Sequence, residues 1–232
     1  RFDLLQGLTK GDAENLAARA PEIAPQIRIN PFGLVLPPPA DPRREEEHSL
    51  LFAGTFSHPP NRDAAGWLAR EIMPRVLARH PEARLRIVGQ APPPEVRALA
   101  GPGVEVLADV PSMRPHLEAA SVVLAPVRTG GGMRMKVLQA LAAGKATVTT
   151  PRGAEGFDVF EPDPPLAIAD GSEAIAAAVC ALLDEPERRR EMARRARAFT
   201  ERHHTPGAWA ARLENVYAEA IAAGSQDGRR QV

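Results

Sequence analysis

The chain has 232 residues, enough to bury a substantial core as one large domain or as one domain plus a fragment. Its 29 basic and 29 acidic residues cancel, which argues against a nucleic-acid binder that works by neutralising phosphates. A single cysteine, Cys180, excludes an internal disulfide and fits a reducing, cytoplasmic setting, and six scattered histidines with that one cysteine argue against a structural zinc site.

The chain starts at Arg1 rather than Met and lacks the basic, apolar and small-residue order of a signal peptide. No apolar run nears the roughly 20 residues that cross a bilayer, so a soluble protein is expected. Residues 2–8 read as a strand, 12–18 as a helix and 27–30 as a second strand, followed by the proline-rich, charged LPPPADPRREEEH. One strand–helix–strand piece cannot close a core by itself. Residues 1–36 are therefore expected to be the remnant of an N-terminal domain mostly missing from the chain, and 37–48 an interdomain linker.

From residue 49 onward short apolar runs alternate with longer helical patterns, the signature of a parallel sheet with helices on both faces. Strands are expected at 50–55, 85–88, 104–107, 121–126 and 146–150, and helices at 61–80, 93–99, 112–119 and 132–143. Asn61 should cap the first of these helices and Pro74 should kink it. Helical patterns at 172–183, 186–203 and 206–222 complete a domain of residues 49–222, with 223–232 as a flexible tail. In ERRREMARRARAFTERHH the Glu191–Arg195 spacing predicts an i,i+4 pair, and the thin apolar stripe favours a solvated face over peripheral contact with an anionic membrane. His203–His204 before Thr205–Pro206 reads as a helix terminator, and Cys180 as a small core residue.

The segment TGGGMRMKVLQALAAGK, residues 129–145, carries the strongest functional signal. Three glycines open an amphipathic helix directly after the apolar run SVVLAPV. Amides at a helix N-terminus lack intrahelical partners and lie at the positive end of the dipole, so the arrangement predicts an anion site. Only Lys10, Lys136 and Lys145 are lysines among the 29 basic residues, leaving 26 arginines. A chain that uses arginine for general surface charge has a reason to keep lysine at Lys136, and a compact ammonium suits phosphate as a point charge. On this helix Gly132, Lys136 and Gln139 share a polar face, while Val137, Leu138 and Leu141 form the buried stripe. Neither the P-loop ending nor the dinucleotide glycine spacing is present. A tight strand-to-helix turn is the plain alternative, and His58 is either a ligand contact or a simple turn residue.

Taken in continuous order over residues 50–217, LLFAGTF, NRDAAGWLAREIMPRVLARHPEARLRIVGQAP and VEVLADVPSMRPHLEAASVVLAPVRTGGGMRMKVLQALAAGKATVTTPRGAEGF resemble a known family. They are similar to the C-terminal, donor-binding half of a group 1 glycosyltransferase, in the branch with a GGG-x-R-x-K turn and a GAEG loop. LLQGLTKGDAENLAARAP with IRINPFG resembles the last strand–helix–strand of that family's N-terminal domain. The resemblance implies the GT-B architecture, an α/β fold in which each Rossmann-like domain is a parallel sheet with helices on both faces. It also implies transfer of a sugar from a nucleoside diphosphate sugar to an acceptor hydroxyl, in polysaccharide or glycoconjugate synthesis.

Carried over residue by residue, the resemblance implies that Arg134, Lys136 and the backbone of Gly131 and Gly132 meet the diphosphate, the two cations stabilising the leaving group. The loop from Gly54 and Thr55 to Asn61 would face the same phosphates; Asp109, Val110 and Pro111 would border the base; Gln139 would receive the ribose hydroxyls. The implied partners are a nucleotide sugar and the missing acceptor domain, with no nucleic acid, no cofactor beyond the donor and no metal. The family's two glutamates, seven residues apart, correspond to Gly131 and Gln139. An amide cannot offer ribose the charge-assisted pair of a carboxylate, so weaker donor binding is expected. Gln139 also keeps open a non-catalytic nucleotide-binding or interaction module, with an epimerase of the same two-domain architecture as a further rival. A receiver-type domain fails, because the strand at 50–55 ends without the acidic residues its metal needs.

Overall fold

The computed structural model describes residues 3–160 and 163–228. At the start, β1 (Leu5–Gly7), α1 (Lys10–Arg19) and β2 (Ile27–Ile29) form the expected strand–helix–strand unit, with β1 and β2 paired in parallel. Phe2, the start of the expected first strand, lies outside the described residues. The Thr9 hydroxyl accepts the Asp12 amide at 3.0 Å and so satisfies one of the free donors that begin α1.

The segment 37–48 lies bonded along the larger unit. The Ala40 amide donates to Ala143 O at 2.8 Å and the Glu46 amide to Ala119 O at 2.9 Å. Arg197 reaches Pro37 O at 2.7 Å.

The larger unit alternates as its periodicity predicts. It runs β3 (Ser49–Thr55), α2 (Pro59–Trp67), α3 (Met73–Leu77), β4 (Arg84–Gln90), α4 (Pro94–Arg97), β5 (Val104–Ala108), α5 (Arg114–Ala119), β6 (Val122–Ala125), α6 (Met135–Ala142), β7 (Ala146–Thr149), β8 (Ala167–Ile168), α7 (Ser172–Asp184), α8 (Pro186–His203) and α9 (Pro206–Gly228). Strands β3 to β8 form one parallel sheet in the order β5-β4-β3-β6-β7-β8. Successive side chains of β3 go to opposite faces. Leu50 and Phe52 pack with Leu85, Ile87 and Val122 under α2, α3 and α7, whereas Leu51 joins Val88, Val123 and Ala140 of α6 on the other face. Chain order reverses on either side of β3, which leaves a crevice beyond the carboxyl ends of β3 and β6, where open α/β sheets bind ligands.

The distortion expected at Pro74 takes the form of a π-helical turn, and three other local expectations are corrected. A π-helical turn, Leu68–Ile72, separates α2 from α3 just before Pro74 and widens the helix where proline supplies no amide donor. Asn61 is not the cap of α2: His58 occupies that position, ahead of Pro59 and Pro60. The glycines precede α6 rather than open it, since Gly130 (φ 90°) and Gly132 (φ 79°) are left-handed and Arg134 is the extended N-cap residue. Gly132 therefore does not share a helix face with Lys136. Finally, α9 continues to Gly228 past the expected end at 222, and residues 229–232 of the expected tail lie outside the described residues.

On α8, Glu191 pairs with Arg194, not Arg195, whose guanidinium lies 3.4 Å from Asp163 Oδ2. His203 and His204 do end that helix, and Cys180 is buried in the core. α9 returns to the first unit, where Arg212 donates to Asn30 Oδ1 at 2.9 Å and Arg28 pairs with Glu219. No helix among the described residues is long and apolar enough to cross a membrane.

Candidate functional site

A cleft of about 600 Å³ opens at the carboxyl ends of β3 and β4 and against the start of α6. Close backbone approach shapes its floor: a Cβ on Gly89 would lie 1.7 Å from Gly54 O, and one on Gly54 would lie 3.2 Å from Lys136 Nζ. Side chains at either position would fill the space the cleft needs.

Lys136 stands in the first turn of α6, whose buried Val137, Leu138 and Leu141 hold the helix against the sheet. Its Nζ lies 4.3 Å above the Phe52 ring centroid and donates to Asn61 Oδ1 at 2.6 Å. Asn61 Nδ2 in turn donates to Thr55 O at 2.8 Å. The first turn of α2 thus ties the end of β3 to the lysine, which explains why Asn61 is needed although it caps nothing. Burial, reinforced by the neighbouring Arg134 guanidinium, lowers the Lys136 pKa from 10.5 to about 7. Among the described residues no carboxylate forms an ion pair with it.

Arg134 folds back into the glycine loop, donating to Gly131 O at 2.6 Å and Gly130 O at 2.8 Å. It braces the loop through the carbonyls of Gly130, which is left-handed, and of its neighbour Gly131. Burial lowers its pKa, although a guanidinium stays charged at neutral pH, and its buried Nε has no partner among the described residues.

The structure gathers Gly54, Thr55, Asn61, Val110, Arg134, Lys136 and Gln139 around the cleft, as the sequence implied. Asp109, Pro111, Gly131 and Gly132 lie outside its wall. Asp109 is left-handed (φ 51°) and its Oδ1 accepts the Ala91 amide at 2.9 Å, so its carboxylate holds the β4–α4 loop to the end of β5. Pro111 and Gly131 are exposed. His58 lines the cleft, which favours the contact reading over the simple turn. Sequence reasoning missed Phe52, which looked like an ordinary strand residue, and Gln90, Met113 and Met133, which carry no motif. A signal for Phe52 existed only in the pairing of β3 with the lysine above it.

The sequence profile described as glycosyl transferases group 1 matches residues 47–185. The chain belongs to that glycosyltransferase family, and its α/β Rossmann-like fold matches GT-B glycosyltransferase structures. No curated protein matches it by sequence. Among solved structures it is similar to TarM of S. aureus, at 12% identity and a TM-score of 0.77 over 93% of this chain and 43% of that one. It is also similar to sucrose-phosphate synthase from Thermosynechococcus elongatus, at 19% identity and a TM-score of 0.72 over 96% of this chain and 59% of that one. HepE from Anabaena, solved with UDP, matches at 12% identity and a TM-score of 0.73 over 94% of this chain and 64% of that one. The chain therefore spans less than two thirds of each of these structures, and at such identities the likeness speaks for the fold alone.

Proposed function

We propose that this chain is the nucleotide-sugar-binding half of an enzyme that moves a hexosyl or related sugar from a nucleoside diphosphate to an acceptor hydroxyl, in polysaccharide or glycoconjugate synthesis. The observation that carries the reading is Lys136. It is an ammonium desolvated at the carboxyl edge of the sheet, positioned by a neutral amide and an aromatic ring, and without a counter-ion among the described residues. Such a charge is expensive unless an anion meets it. A diphosphate placed between Lys136 and the backbone amides at the start of α6 would meet that need. The negative charge that builds on the departing diphosphate would then be stabilised by groups already in place. With cations in that role the transfer requires no resident metal or other cofactor.

The base would rest on Val110 and Met113, and Gln139 would reach the ribose. The acceptor and the groups that act on it would come from a domain across the cleft. We place the enzyme in the cytoplasm, with the arginine-rich face of α8 available to the inner face of a membrane.

Calorimetric titration with uridine, guanosine and adenosine diphosphates tests the reading. UDP is the first probe, because HepE and the pneumococcal O-GlcNAc transferase GtfA were solved with it. One diphosphate should bind at least tenfold more tightly than its nucleoside, and equal binding of diphosphate and nucleoside would overturn the assignment. Gln139 favours a second reading, a non-catalytic nucleotide-binding module. Sugar turnover by the full-length parent excludes it.

A further inference from the structure

At the opposite, amino end of the same sheet the fold gathers His48, His80 and Glu82, whose ligand atoms all lie within 4.8 Å of one another. His48 immediately precedes β3, His80 ends the turn after α3, and Glu82 lies just before β4. His48 Nε2 is 3.1 Å from Glu82 Oε1, and His80 Nδ1 is 3.6 Å from the same oxygen. A tetrahedral zinc site with bonds of roughly 2.0–2.1 Å has ligand-to-ligand edges of about 3.3 Å. The two measured separations bracket that edge.

The surroundings point the same way. The His80 side chain is 9% exposed, and its Nε2 lies 3.3 Å from Asp184 Oδ1 without making a hydrogen bond. Arg79 already holds the other oxygen of Asp184 at 2.6 Å, so Oδ1 remains to face the ring. If a cation takes Nδ1, the ring proton must stand on Nε2, where a small turn of the Asp184 carboxylate would let it accept that proton, the arrangement that orients metal-bound imidazoles.

The backbone is held in place as well. The His80 amide donates to Val76 O at 2.8 Å, His80 O accepts the Ala83 amide at 3.0 Å, and His48 O accepts the Arg84 amide at 3.0 Å. His48 is left-handed, with φ 56°, a strained conformation for a residue with a Cβ. Its ring lies beside that of His80, 5.3 Å away between centroids.

We propose that His48 Nε2, His80 Nδ1 and Glu82 Oε1 bind a divalent transition-metal cation of the zinc class, with Asp184 positioning His80 and water completing the coordination. Two imidazoles and a carboxylate form a donor set suited to zinc and too nitrogen-rich for calcium or magnesium. The ion would pin the end of the linker to the turn before β4, on the sheet edge away from the cleft, and so would serve structure rather than sugar transfer.

Equilibrium dialysis of the purified chain against zinc, read by elemental analysis, tests this directly. The wild type should take up one equivalent and show a zinc-dependent rise in thermal midpoint. His48→Asn keeps a residue that tolerates the left-handed conformation, and Glu82→Gln keeps the shape of the side chain. Each should weaken uptake at least tenfold and abolish the midpoint shift. Asp184→Asn should weaken uptake about tenfold through loss of the orienting carboxylate, while cobalt(II) retains the visible absorption of a tetrahedral site. These variants avoid the buried His80, whose removal endangers folding. Absence of stoichiometric uptake by the wild type, or uptake unchanged in both His48→Asn and Glu82→Gln, would overturn the proposal. UDP titrations with and without chelator should agree, which keeps this test independent of the donor site.

Discussion

Two cavities of this molecule each hold a lysine, buried at Lys145 and half-buried at Lys136, and treat it in opposite ways. In the cavity of about 450 Å³ between the linker and α8, every cation on the wall has a carboxylate. Lys145 and Arg189 share Glu45, at 3.4 and 3.0 Å, Arg190 and Arg194 pair with Glu187 and Glu191, and Arg197 meets Glu201 at 2.7 Å. The Lys145 ammonium also donates to Glu118 O at 2.9 Å and Ala120 O at 2.8 Å. In the cleft, Lys136 and Arg134 have amide, carbonyl and aromatic neighbours, and neither makes an ion pair among the described residues. A compensated cation is part of the framework; an uncompensated one is what the proposed anion site rests on. Cavity size would not have separated the two. Charge balance does.

The largest expected effect breaks the compensated side. Lys145→Ala leaves two buried carbonyls without their donor and should lower stability by about 3 kcal/mol in urea denaturation, with UDP affinity per folded molecule unchanged. Equal stability would mean that the paired cluster does not hold the linker to the domain.

Lys136→Ala should behave in reverse. Removing a desolvated, unpaired cation should leave stability the same or higher. Diphosphate affinity should fall at least tenfold, in line with about 1.5–3 kcal/mol for a charge-assisted bond, and nucleoside affinity should stay constant. A folded variant that binds UDP like the parent would make the glycine loop only a turn.

The pH dependence sharpens the contrast. The Lys136 pKa is lowered from 10.5 to about 7, so between those values the folded chain holds fewer protons than the unfolded one. Its contribution to stability therefore rises with pH across that window and is least favourable below about pH 7. Diphosphate selects the protonated form, so affinity should drop about fivefold from pH 7 to pH 8 relative to Lys136→Arg, whose charge does not titrate. Parallel pH profiles for the two proteins would remove the lysine from the site.

The smallest expected effect concerns ribose. Gln139→Glu should tighten UDP and uridine alike by a few-fold, since the sugar is common to both and a carboxylate accepts the hydroxyl more strongly than an amide does. A gain confined to UDP would place Gln139 at the phosphates instead.

Much of this protein was legible in one dimension because its signals are local. Val137, Leu138 and Leu141 repeat at helical spacing, Pro186 sits at the first position of a helix that ends at His203, and the apolar runs from residue 50 onward mark buried parallel strands. The two residues of β8 are too few to make a pattern, and the sequence reading passed over them.

Composition likewise singled out Lys136 from a background of arginine, and the family resemblance pointed to several of the residues that line the cleft. What composition could not say is that Lys136 and Lys145, alike in a count of lysines, have opposite charge environments. Nor could spacing show that Asn61 supports a lysine rather than capping a helix, that Arg134 braces its own loop, or that His48 and His80 meet across a turn. Those facts depend on which elements the sheet order makes neighbours. Backbone conformation and apolar periodicity are set within a few residues, whereas desolvation and charge pairing are fixed by groups distant in sequence, and only the folded chain brings them within a few ångströms.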